Sequence, residues 1–317
     1  MGQKEVLESF PDQCEGALNL GGGIEVGDVN KIVVAAMGGS AFSGDVLKAI
    51  AGGDIDVVCN KNYNLPKDAG ENTLVFAVSY SGNTEETLSA LQDAVKKKCR
   101  IIGIGSGGQL EKKCKENNTA FIKVPSGIQP RHATGYLTIP MINVLQENGI
   151  ITNQNIELMI KEIKNREIPE KGKEISELLY KKIPIIYSSE RLACVSLGWK
   201  IRLNEDAKMH AFANQFPEVN HNEMLGYVKK IANFHTLIIR DEEDHKRIKK
   251  RFVVTKKIIE NLGGECTIID TFGSNLISRI FSAIYTAGWA SYYLALKYGV
   301  DPEDIGLVEE FKKELDK

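Results

Sequence analysis

From Lys31 onward, short apolar runs alternate with longer segments whose apolar positions recur three and four residues apart. The runs Lys31–Met37, Asp54–Asn60, Asn72–Tyr80, Cys99–Gly105 and Thr119–Val124 predict five strands, bounded by glycine, asparagine and other turn residues. Helical patterns fall between most of them. In Glu86–Lys98, for example, Leu88, Leu91 and Val95 share one face. The segment Arg131–Gly149 predicts a closing helix stopped by Gly149. A lysine- and glutamate-rich stretch follows between Ile151 and Lys182, interrupted by Pro169 and Gly172, and reads as a linking pair of helices. The alternation then restarts. Ile183–Ser189, His235–Asp241 and Cys266–Thr271 predict strands, Lys246–Gly264 a helix, and Leu276–Gly299 a last apolar helix capped by its glycine. Strands that alternate with helices imply an α/β fold with parallel sheets. The expected division is a domain over residues 1–150, a helical linker over 151–182 and a second α/β domain over 183–317.

Composition narrows the function. The 317 residues hold 40 basic and 42 acidic side chains, a net charge of −2, so no overall field favours nucleic acid or an anionic membrane. No apolar run approaches the roughly 20 residues of a spanning helix, and the N-terminus lacks a signal-peptide core, so a cytoplasmic protein is expected. The six cysteines (Cys14, Cys59, Cys99, Cys114, Cys194 and Cys266) lie far apart without zinc-ligand spacing, and reduced thiols are expected. No metal site is expected.

Ligands of open parallel sheets sit beyond the carboxyl ends of the strands. The loop after the first strand, Met37–Gly44, carries Gly39 and Ser40 at the start of a helix. It reads equally as an anion site built from backbone N–H groups and as a tight turn that needs glycine for its geometry. The loop after the third strand, Ser79–Thr87, brings Ser79, Ser81 and Thr84 together around Gly82 where a helix begins, which suits a phosphate monoester. Asn83 and Glu86 there also have the spacing of a capping box. Gly103–Gly108 matches GxGxxG, but the next strand supplies no acidic residue for a ribose, so a glycine turn explains it better than dinucleotide binding.

Proton chemistry points to Trp199–Gly226. Glu205 ends an apolar helical pattern, and His221 lies among acids and amides in Phe216–Glu223. A carboxylate can carry a proton between carbons, and a histidine titrates near neutrality. Each also reads as an ordinary surface residue. Arg131, which follows a strand and opens a helix, sets a cation against the helix dipole, as an anion ligand would require.

Met37–Asp45, Ser79–Thr87, Gln129–Tyr136, Asn204–Lys208 and Phe216–Glu223, in that order, resemble the sugar isomerase (SIS) domain proteins. More narrowly, they are similar to the bifunctional phosphoglucose/phosphomannose isomerase family. The resemblance covers roughly residues 30 to 310. It implies two SIS domains, each a parallel sheet flanked by helices in a flavodoxin-like αβα sandwich. It further implies interconversion of glucose 6-phosphate, and of mannose 6-phosphate, with fructose 6-phosphate through a cis-enediol, without cofactor, in a homodimer with active sites near the subunit contact. By the same resemblance Gly39, Ser40, Ser79, Ser81 and Thr84 hold the phosphate, Arg131 steadies the enediolate, Glu205 is the base, and His221, reaching in from a partner subunit, opens the ring. Lys312, or its neighbour Lys313, matches a lysine of the C-terminal tail. No serine or threonine follows Ser291, so the tail threonine of some members has no counterpart. The rivals are a non-catalytic sugar-phosphate sensor, disfavoured because no helix-turn-helix precedes residue 30, and an isomerase of another sugar phosphate.

Overall fold

Two short helices that the apolar pattern does not announce, α1 (Gln3–Glu8) and α2 (Phe10–Gly16), open the chain. The computed structural model describes residues 2–164 and 167–315; Asn165 and Arg166 of the expected linker, and residues 1, 316 and 317, lie outside the described residues. The first half continues with β1 (Lys31–Ala35), α3 (Gly38–Ala51), β2 (Asp56–Asn60), β3 (Thr73–Val78) and α4 (Glu85–Lys96). It closes with β4 (Arg100–Gly105), α5 (Gly108–Glu116), β5 (Ala120–Lys123) and α6 (Thr134–Glu147). All five strands are parallel, in the order β2-β1-β3-β4-β5, which is the flavodoxin-like order. Helices on both faces leave the central strand no polar side. All six residues of β3 are buried, which is why its sequence is an unbroken apolar run.

Helices α7 (Ile156–Ile163) and α8 (Glu167–Leu179) follow. Pro169 and Gly172 do not interrupt the helical stretch as expected, because both lie inside α8. Pro169 falls in the first turn, where its missing N–H costs nothing. A Cβ on Gly172 would lie 2.4 Å from that of Trp289, so this glycine lets α8 press against the last long helix.

The second half contains β6 (Ile183–Ser189), α9 (Ala193–Glu205), β7 (Phe212–Phe216), β8 (Phe234–Arg240), α10 (Lys246–Asn261), β9 (Glu265–Asp270), α11 (Leu276–Tyr298) and α12 (Gly306–Leu315). Its parallel sheet has the order β7-β6-β8-β9. Strand β7 is absent from the sequence reading. It is an edge strand in which only Phe216 is buried, so it has no apolar run to betray it. Gly299 caps α11 in the left-handed conformation, as its sequence predicts.

One apolar core runs through both halves, joining Phe42 of α3, Trp199 of α9 and Phe281 of α11. A Cβ on Gly198 would meet the Phe42 ring at 2.8 Å, so α9 lies tightly on α3. Through that contact the last residue of a second-half helix, Glu205, comes to rest by the carboxyl end of the first sheet.

Candidate active site

Strands β1 and β3 are neighbours, and the chain leaves them toward opposite sides of the sheet, which makes their carboxyl ends the topological switch point. After β1, Gly38 adopts φ 52° and α3 begins at once, with Gly39 and Ser40 in its first turn. The leading N–H groups of that turn have no carbonyl partner within the helix. Gly39 is fixed for a second reason. A Cβ there would lie 2.5 Å from the backbone nitrogen of Arg131.

After β3, the Ser79 hydroxyl is fully buried, accepting N–H donors from Gly82 at 3.1 Å and Thr84 at 3.4 Å and sharing a hydrogen bond of 2.8 Å with Thr84 Oγ1. The two loops are tied together by the Tyr80 N–H, which donates to Ser40 Oγ at 3.2 Å. Ser81 is exposed, and among the described residues its hydroxyl accepts only from the Asn83 N–H at 3.3 Å. The expected capping box does not form. Thr84, not Asn83, precedes α4, and Asn83 Oδ1 accepts instead from the Gln109 N–H at 3.1 Å. The glycine turn after β4 explains itself here. A Cβ on Gly82 would sit 1.8 Å from the Gly107 carbonyl oxygen, and Ser106 Oγ donates to the Tyr80 carbonyl at 2.7 Å, so Gly103–Gly108 buttresses the hydroxyl loop.

Arg131 stands in a 3₁₀ turn, Pro130–His132, with its side chain 1% exposed. Its guanidinium joins three distant segments. Nε donates to Asp206 Oδ1 at 2.5 Å, Nη1 to Glu205 Oε2 at 3.3 Å and Nη2 to the Pro302 carbonyl at 2.6 Å. Asp206 is fully buried and also receives the Ser291 hydroxyl on Oδ2 at 2.7 Å, while His132 Nε2 lies 3.2 Å from Oδ1, the oxygen that Arg131 holds. Burial alone raises such a carboxyl. Here His132, Arg131 and Ser291 overcome it and hold Asp206 at about 2, so it stays ionised. Arg202, one turn earlier on α9, donates to the Arg131 carbonyl at 3.2 Å; burial draws it down to about 10, which leaves it charged at neutral pH. From behind, Gln13 of α2 donates to the His132 carbonyl and accepts from the Gly135 N–H, both at 2.8 Å.

Glu205 differs from Asp206 next to it. Its side chain is 42% exposed, and burial of the remainder pushes its carboxyl above the usual range against the pull of Arg131. A buried cation beside a half-exposed carboxylate of raised pKa is suited to taking and returning a proton. Lys208, in the left-handed region at φ 54°, donates to the Glu205 carbonyl at 2.6 Å and to the Asp304 carbonyl at 2.5 Å, tying the end of α9 to the segment before α12. Burial and then Arg131 lower its pKa.

The two remaining expected residues lie elsewhere. His221 is exposed in the turn beyond the carboxyl end of β7, whereas Glu205 precedes the amino end of that strand. Five residues of strand separate them, roughly 15 Å at about 3.3 Å per residue. Lys312 lies on α12, none of whose described residues is buried. A cavity of about 440 Å³ between α8, α11 and the carboxyl ends of β8 and β9 touches none of these groups.

Residues 168–315 match the family model of the bacterial phospho-glucose isomerase C-terminal SIS domain. The bifunctional phosphoglucose/phosphomannose isomerase of Caldicellulosiruptor bescii is 35% identical over 98% of this chain and 98% of its own. The chain belongs to the bifunctional phosphoglucose/phosphomannose isomerase family. The enzyme of the same name from Thermoplasma acidophilum is also 35% identical, over 98% of this chain and 96% of its own. In fold, the chain is similar to the C-terminal domain of glucosamine-fructose-6-phosphate aminotransferase from Francisella tularensis. The TM-score is 0.76, with 15% identity over 95% of this chain and 98% of that one.

For this member of the isomerase family, sequence reasoning missed Asp206, His132, Arg202, Ser291 and Lys208 as parts of the site. Asp206 and Lys208 lie within the Asn204–Lys208 motif, where their type was visible and their partners were not. Ser291 signals nothing until α11 delivers it to a carboxylate 85 residues away.

Proposed function

We propose that the chain interconverts glucose 6-phosphate and mannose 6-phosphate with fructose 6-phosphate, with Glu205 as the base and the β1 and β3 loops as the phosphate site. The observation that carries this reading is the Arg131–Glu205 pair, 3.3 Å apart, held by a buried aspartate beside the switch point of the first sheet. Ionised Glu205 takes the proton from C2 of the open-chain aldose and returns it to C1, while the hydroxyl proton of O2 passes to O1, so that the carbonyl moves from C1 to C2. The enediolate that forms between these steps carries negative charge, which Arg131 offsets. Mannose 6-phosphate, the C2 epimer, presents its proton to the same carboxylate after rotation about C2–C3. The phosphate takes the N–H groups of Gly39 and Ser40 with the hydroxyls of Ser81 and Thr84, while Ser79 shapes the loop from inside.

Opening of the sugar ring falls to His221. Its separation from Glu205 within one chain supports a homodimer in which the imidazole serves the partner's site, and Lys312 of the exposed tail helix is proposed to reach the same cleft. The setting proposed is cytoplasmic. A coupled assay of the purified protein with each substrate separately tests the activity, and both are expected to turn over. In the same assay Glu205→Gln is expected to lower kcat by about 10²–10⁴-fold with little change in KM. Near-normal turnover in that variant removes Glu205 from its role, and inactivity on both substrates removes the reading.

A further inference from the structure

The turn that carries His221 is fastened on both sides of the histidine, while the ring itself has no hydrogen-bond or ion-pair partner among the described residues. On one side, Asn220 donates to Thr255 Oγ1 at 2.9 Å and accepts from Arg251 Nη1 at 3.0 Å, both on α10. On the other, the Glu223 carboxylate accepts the Tyr187 hydroxyl of β6 at 2.7 Å and the Asn214 amide of β7 at 2.5 Å. The His221 N–H closes the turn on the Glu218 carbonyl at 2.8 Å.

The anchor runs deep into the second half. Tyr187 is fully buried, packs edge-on against Phe216 with ring centres 5.8 Å apart, and accepts the Tyr227 hydroxyl at 3.1 Å. Holding a part-buried glutamate and the part-buried Tyr227 against the buried Tyr187 hydroxyl carries a desolvation cost that an apolar contact avoids. A fold that needed only stability gains little from it. The rim of the same turn gains nothing, since Leu225 remains 74% exposed. His245 makes the contrast plain. It spends Nδ1 on the Arg247 N–H as a helix cap, so its ring is structural. His221 has an over-determined backbone and an uncommitted imidazole, the arrangement of a group presented to something outside its own chain.

We propose that Glu223, held by Tyr187 and Asn214, is a positioning residue that fixes the turn of His221 so that its imidazole meets the substrate in one geometry. This rests on the reading of His221 as the ring-opening group. It does not touch the phosphate loops or Glu205.

The test is a double-mutant cycle in kcat, read beside thermal midpoints. His221→Ala is expected to lower kcat on glucose 6-phosphate by about 100-fold. Glu223→Ala is expected to lower it about 10-fold with KM nearly unchanged, and by less than about 2-fold once His221 is already alanine. The fall in thermal midpoint from Glu223→Ala is expected to be the same in both backgrounds, which a structural role alone also gives. Glu223→Gln keeps an acceptor for the Tyr187 hydroxyl and is expected to restore most of the turnover. Should Glu223→Ala fail to fold, Tyr187→Phe, which keeps the packed ring and removes only the hydroxyl, carries the same cycle with a loss of about 3-fold. An equal loss of turnover in both backgrounds, or none in either, overturns the positioning role and leaves His221 standing. Wild-type turnover in His221→Ala overturns both together.

Discussion

The two halves repeat one architecture and fill it differently. At the carboxyl ends of β1 and β3 the loops are glycines and hydroxyls, with helix N–H groups left for a ligand. At the corresponding ends of β6 and β8 the chain supplies its own anion. Asp241, fully buried, accepts Arg191 Nη1, the Thr271 hydroxyl and the Glu243 N–H at 2.8, 2.8 and 2.9 Å, and Arg279 Nε lies 2.8 Å from it. Arg279 Nη2 is 2.7 Å from Glu243 as well. A carboxylate ringed by two arginines stands at the strand ends that correspond to the proposed phosphate site of the first half. A repeated fold thus need not repeat its site, because the site depends on the loop chemistry at each strand end.

The sharpest way to break this comparison is to give the first half the carboxylate of the second. Ser81→Asp sets a negative charge in the open loop, and a juxtaposed like charge costs several kcal/mol, so KM is expected to rise by about 100-fold or more. The melting temperature is expected to hold, because Ser81 is exposed. The reverse experiment removes the carboxylate from the second half. Asp241→Ala leaves two arginines without their buried partner and is expected to cost about 3–5 kcal/mol in denaturant unfolding. Turnover per folded molecule is expected to be unchanged, and a matching loss of turnover would place the second loop in the chemistry.

Acid separates the two neighbours on α9. Asp206 has its pKa depressed to about 2, so the stability it contributes is full above its unfolded value and is lost as pH falls from about 4 toward 2. That contribution is about 2 kcal/mol, and Asp206→Asn is expected to flatten the stability profile across that window. Glu205 is shifted the other way by burial. As the proposed base it must be ionised to act, so kcat/KM is expected to fall on the acid side at a pH above the ordinary carboxylate value of 4.5, before Asp206 titrates. A comparable or smaller effect concerns the tie between the two first-half loops. Ser40→Ala leaves the buried Tyr80 N–H without its acceptor and is expected to cost about 1–3 kcal/mol in the same unfolding measurement.

What the sequence disclosed followed burial. Strands covered on both faces, such as β3, are apolar from end to end and were plain. Edge strand β7 was not, since four of its five residues keep contact with solvent. Glycine turns were legible as turns, yet the reason for Gly82 lies in the Gly107 carbonyl on another loop. Glu205 and Arg131 were suspected from residue type and family motif. Their joining was not legible, because it depends on α9 lying against α3 and on a buried aspartate whose partners are 74 and 85 residues distant. Local spacing carries caps and faces, but not contacts between elements so far apart.

The Arg131 guanidinium bonds the Pro302 carbonyl, 171 residues further along. During synthesis the β1 and β3 loops, Arg131 and Glu205 are all made well before that carbonyl is. At about 5–20 residues per second, the ribosome leaves an interval of roughly 10–30 s between making Arg131 and making its last ligand. A nascent chain within that interval carries every residue of the first sheet, while Arg131 still lacks the carbonyl that completes its hydrogen bonds.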